Sequence, residues 1–162
     1  MSFHERNERT IHNKIKIIKI WSVFMGVVNL LAGLLLVVLP VALASMLGMA
    51  GAHSEAPAAL CGIGVLVGGM GLAYFVVLVP FKGGKTVWYV TSLLHGVVGV
   101  SLIWLLALDW LPSNWLPVAV FGLLVALVQV AVLRAGWWTT MIKWQNYQVG
   151  RARGGAHLTL PT

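Results

Sequence analysis

A chain of 162 residues that is 59% hydrophobic and 9% charged is not an ordinary soluble domain. The net charge of +7 would suit a nucleic-acid binder, but the basic residues are scattered over several segments that flank apolar runs, which excludes a phosphate-binding face. The single cysteine, Cys61, excludes an intrachain disulfide and a two-cysteine redox centre.

Four apolar runs of about 20–25 residues dominate the chain, each long enough to cross a hydrocarbon core of ~30 Å. The predicted organisation is a basic amphipathic segment at 1–16, a four-span domain at 17–138 and a basic interfacial tail at 139–162. Arg6, Arg9, Lys14, Lys16 and Lys19 precede the first run. Lys82 and Lys85 separate the second from the third, and Arg134, Lys143, Arg151 and Arg153 follow the fourth. The segments between runs one and two and between runs three and four carry no Lys or Arg. This is the positive-inside distribution, and it places both termini in the cytoplasm.

In chain order, residues 2–19 read as a helical lead-in. Ser2 and Glu5 fit a capping box. Ile11, Ile15 and Ile18 share one face, and Lys14, Lys16 and Lys19 can reach lipid headgroups. The first span is expected at 17–45, with a kink from Pro40. Its apolar run is too long for the core of a signal peptide, although Ala42-Leu43-Ala44 resembles a cleavage site. Ser54 is placed to cap the second span, 56–80, with Glu55 and Pro57 in its first turn. The third span is expected at 86–109. The fourth, 115–138, is capped by Ser113 and continues along the surface toward Tyr147. Trp104, Trp110 and Trp115 mark one membrane boundary, and Trp21, Trp88, Trp137, Trp138 and Trp144 the other. Gly26-Val27-Val28 and Gly96-Val97-Val98 sit at similar depth in spans one and three, as in a duplicated hairpin.

Each span carries a stripe of small or polar residues at helical spacing. The packing candidates are Gly26 and Gly33, then Gly64, Gly68 and Gly71, then Gly99, then Gly122. Small residues three or four apart let helix backbones approach closely, so the fold class expected is an all-α four-transmembrane-helix bundle. Asn29, His95 and Gln129 lie within these stripes at similar depth and converge if the stripes do.

An intramembrane ionisable group marks a candidate site. His95 can offer one axial ligand to a haem or chlorophyll, or a hydrogen bond to a quinone. Asn29 and Gln129 would support it, and Gly96 and Gly99 would leave room for a flat ring. A haem held by two histidines needs a second intramembrane histidine, which the spans lack. The alternative role for the three residues is a hydrogen-bonded cluster that fixes helix register. Glu55 and Asp109 fall at the outer boundary and no carboxylate lies deep in a span, which argues against a proton-coupled carrier. Gly84-Lys85-Thr86 resembles the end of a phosphate-binding loop, but the glycine required at 79 is Val79. No paired-histidine zinc helix, nucleophile elbow or Cys/His metal cluster is present in the sequence.

Gly26 and Asn29, Pro57 with the glycine-rich 62–74 stretch, and Asp109 after the third span give the chain a layout that resembles small bacterial four-span proteins of the DoxX-like kind. The resemblance implies a four-helix architecture in a bacterial cytoplasmic membrane and no particular activity. The expected function is that of a non-catalytic accessory or scaffold subunit of a larger membrane complex, packing through its small-residue faces. Its partners would be other membrane subunits and anionic phospholipids, the latter met by Lys82, Lys85, Arg134, Lys143, Arg151 and Arg153. The alternatives are lipophile binding at His95 and a small channel or transporter.

Overall fold

The computed structural model describes residues 3–49, 56–76, 78 and 83–152. Among these there is no strand. Six α-helices follow in order: α1 Phe3–Val38, α2 Pro40–Met46, α3 Ala56–Val76, α4 Gly84–Ala107, α5 Leu116–Arg134 and α6 Trp137–Ala152. A 3-10 turn, Ser113–Trp115, precedes α5.

The basic lead-in and the first span form one helix of 36 residues. Nothing between Phe3 and Val38 breaks it, since the stretch lacks proline and has only Gly26 and Gly33. Pro40 then ends the helix rather than kinking it. Its ring pushes the preceding residue out of the helical region, and Leu39 has φ −125° and ψ 45°. The short α2 closes over Gly48, whose φ of +77° places it in the left-handed region. The capping roles expected of Ser2 and Ser54 lie outside the described residues. Ser113 does not cap span four: it opens the 3-10 turn, and no side chain caps α5. Pro117 sits in the first turn of α5, where its missing N–H costs no helical bond.

The fourth span also ends earlier than expected. α5 stops at Arg134, Gly136 turns with φ +69°, and α6 begins at Trp137. The turn redirects Trp138 and Met141 into a core with Ile18, Trp88 and Leu133. Trp88 and Trp138 pack edge to face with centroids 5.5 Å apart. Two of the tryptophans assigned to a headgroup belt are therefore buried in protein. The same contact takes Ile18, from the apolar face of the lead-in that it shares with Ile11 and Ile15.

α1 packs along α3, and α4 along α5, as two antiparallel hairpins that meet across a narrower seam. At the far end the two loops touch, where Asn114 Nδ2 donates to Met46 O at 3.0 Å.

Four helices are long and apolar enough to cross a membrane: Glu8–Val38, Pro57–Val76, Gly84–Ala107 and Ser113–Arg134. No more than 33% of the apolar window in any of them is buried inside the chain. Leu66, Leu93 and Leu127 are among many large apolar side chains that point outward. Apolar surface this continuous needs an apolar surrounding.

Candidate functional site

Two kinds of contact hold the spans together. Within the α1–α3 hairpin the contact is backbone on backbone. A Cβ added to Gly33 would lie 2.5 Å from Gly68 N and 2.6 Å from Gly64 O. One added to Gly71 would lie 2.7 Å from Leu30 N and 2.9 Å from Gly26 O. A Cβ added to Gly64 would lie 2.8 Å from Gly33 O, and one added to Gly26 would meet the Phe75 ring. Gly68 stands opposite the Gly33 Cα. Cys61 Sγ adds a weak contact to Val37 O at 3.8 Å.

In the second hairpin, Gly99 yields its space to Leu123, and a Cβ added to Gly122 would lie 3.2 Å from His95 O. The room expected at Gly99 for a flat ring is thus filled by α5. Gly96 differs from its proposed counterpart Gly26, because a Cβ added there would meet only the Ala126 Cβ, at 3.6 Å. The two Gly-Val-Val segments therefore occupy different environments.

The seam between hairpins is built from larger and more polar side chains. Met25 of α1, Tyr74 of α3 and Val125 of α5 form a small buried core. Beside it Gln129 is fully buried and donates through Nε2 to Tyr74 Oη at 2.8 Å and to Thr91 Oγ1 at 3.3 Å. Thr91 Oγ1 in turn donates to Val87 O at 2.9 Å. His95 Nδ1 lies 2.7 Å from Thr91 O. A carbonyl can only accept, so Nδ1 is the donor here, which leaves Nε2 for another partner. The Tyr74 and His95 rings are 6.4 Å apart. A second link, Trp88 Nε1 to Ser22 Oγ at 3.0 Å, ties α4 to α1 nearer the basic end.

The convergence expected of Asn29, His95 and Gln129 is thus split. His95 and Gln129 are joined through Thr91 and Tyr74. Asn29 is buried, but its Nδ2 donates to Met25 O of its own helix at 2.8 Å. Tyr74 and Thr91 complete the cluster although the sequence did not single them out. Thr91 carries a usable signal, one turn before His95 on the same stripe, and Tyr74 follows Gly71 by three.

The cluster can do two things chemically. It can fix how the hairpins meet, since each bond has one register that satisfies it. It also has unused capacity, because Gln129 Oε1 is buried without a partner. Among the described residues, no group of three His, Cys, Asp or Glu side chains is placed to hold a metal ion.

Of the expected headgroup contacts, Arg134 and Lys143 are exposed and Lys85 is half-buried. Lys82, Arg153 and the Arg151 side chain lie outside what is described.

Comparison with protein-family models, curated proteins and solved structures gives no match.

Proposed function

We propose that this chain is a non-catalytic accessory subunit of a larger membrane assembly, inserted with both termini in the cytoplasm. One observation carries the reading. Most glycines of α3 are spent against α1, but Gly62 and Gly69 face outward with nothing within 4 Å of an added Cβ. Ala58 and Ala73 extend the same face at helical spacing. Membrane helices gain little from apolar burial against one another and associate through small residues that admit close approach. This second small-residue face of α3 suits a helix of a partner subunit. The orientation is supported by Lys14, Lys16, Lys19, Lys85, Arg134 and Lys143, which belong to the same end of the helices.

The test is extraction from the native membrane in mild detergent, followed by the mass and composition of the particle. The expected result is a particle with other membrane subunits, which Gly62→Leu together with Gly69→Leu releases. A particle of this chain alone would overturn the reading. The orientation is checked by labelling His53→Cys and Gly83→Cys in a Cys61→Ser background. Label should reach position 53 from outside and position 83 only from inside.

A second reading has a specific observation behind it. The Nδ1 of His95 is taken by Thr91 O, which leaves Nε2 for another partner, and Gln129 Oε1 is buried without one. An axial metal of a tetrapyrrole, or a quinone with a hydroxyl on its ring, would use such a pair. It predicts absorption above the protein bands that His95→Leu abolishes, and a blank spectrum ends it.

A further inference from the structure

Away from the seam, α4 and α5 enclose an open groove of about 570 Å³. Tyr89, Leu93, Gly96 and Val100 form its α4 wall, and Ala126 and Val130 its α5 wall. Gly96 gives it depth, because a side chain there would occupy the groove. Ser92 and Ser101 also line it, but the Ser92 hydroxyl is donated to Ala126 O at 3.3 Å and Ser101 stands at the end away from Tyr89, so the floor between is apolar.

The groove has a charged mouth at one end only. Lys85 lies one helical turn before Tyr89, and Arg134 one turn after Val130, so each continues its wall. Because the helices are antiparallel, both cations fall at the same end. Lys85 Nζ sits 5.6 Å from the centre of the Tyr89 ring, which holds the ammonium at the mouth. Arg134 is exposed.

Length identifies the occupant. From Tyr89 to Ser101 the lining rises about 18 Å. Half of a ~30 Å hydrocarbon core is about 15 Å. The groove therefore covers roughly one leaflet, starting at the cationic end. A partner helix would need a seat through both leaflets, whereas a lipid needs one leaflet and a countercharge for its phosphate.

We propose that the α4–α5 groove binds one anionic phospholipid of the leaflet at the basic end, an acyl chain lying from Tyr89 to Val100 and the phosphate held by Lys85 and Arg134. The proposal requires that the four helices cross a bilayer. It is independent of any partner on α3.

The full chain, purified in mild detergent, is tested by native mass spectrometry with added phosphatidylglycerol or phosphatidylcholine. One phosphatidylglycerol should be retained, preferred over phosphatidylcholine about tenfold. Lys85→Gln with Arg134→Gln should reduce that preference to near unity. Gly96→Leu should remove the retained lipid whatever its headgroup. Where Gly96→Leu fails to fold, Val100→Trp from the groove's exposed rim fills the same space. Equal retention of both lipids by the unaltered protein would overturn the headgroup assignment. Undiminished retention in the groove-filling variant would overturn the site. Loss of a co-purifying protein subunit, rather than of lipid, in that variant would assign the groove to a protein partner instead.

Discussion

The interface inside the α1–α3 hairpin and the seam between hairpins solve the same problem by opposite means. The hairpin removes side chains: Gly33 and Gly71 bring backbones so close that a methyl group has no place. The seam keeps its side chains and joins them by two directed bonds, Trp88 to Ser22 and Gln129 to Tyr74, while Thr91 holds the Gln129 amide from within its own hairpin. The first kind of contact tolerates no addition, because the neighbouring atoms are backbone and cannot turn aside. The second tolerates exchange better, since a side chain can be replaced by another of similar size. Close packing supplies most of the attraction between membrane helices, and polar bonds add modest amounts while choosing the register.

The largest test of this contrast is Gly33→Val. Thermal or denaturant unfolding in detergent should show a loss at or above the top of the ~1–3 kcal/mol seen for overpacking. Gly62→Val, on the open face of the same helix pair, should stay within about 0.5 kcal/mol. Comparable losses at both positions would erase the distinction.

Tyr74→Phe comes next. It removes an acceptor from the Gln129 amide, whose Oε1 already lacks a partner, and should cost about 1 kcal/mol. Adding Gln129→Leu should recover part of that loss, because the buried amide is then gone. A double-mutant cycle that comes out additive would mean that the pair does not interact.

Ser22→Ala leaves the buried Trp88 Nε1 without its acceptor and should cost about 1 kcal/mol or less.

Among the buried polar residues the smallest effect is expected at Asn29→Leu, about 0.6 kcal/mol or less. Its amide serves only the carbonyl of Met25 among the bonds described, and leucine is of similar bulk. A large loss there would show that Asn29 belongs to the seam after all.

The spans were legible because hydropathy and length report directly on solvent. The glycine stripes were legible too, since spacing tells which residues share a face. Which stripe meets which is a tertiary fact, and spacing is silent on it. Gln129 and His95 were recognisable as polar groups inside apolar runs, whereas Tyr74 was masked by the glycines around it. Asn29 misled because an asparagine can satisfy itself on the carbonyl four residues back.

The end of α5 carries a signal in the sequence. Arg134 followed by Gly136 is a helix stop with a basic last turn and a left-handed glycine. Apolar Trp137 and Trp138 made the run look continuous. Their inward turn depends on Ile18, far away in sequence.

That long-range contact sets an order of assembly. Each hairpin joins consecutive spans and can close as soon as its second span has emerged. Ile18 and Trp138 are separated by about 120 residues, so at typical synthesis rates the first helix waits on the order of ten seconds for its last neighbour. Until then the Ile18 and Trp88 surfaces stand open at the basic end of the nascent protein. The turn at Gly136 thus closes this core late in synthesis, and a chain truncated before it would keep its four long apolar helices yet leave that surface uncovered.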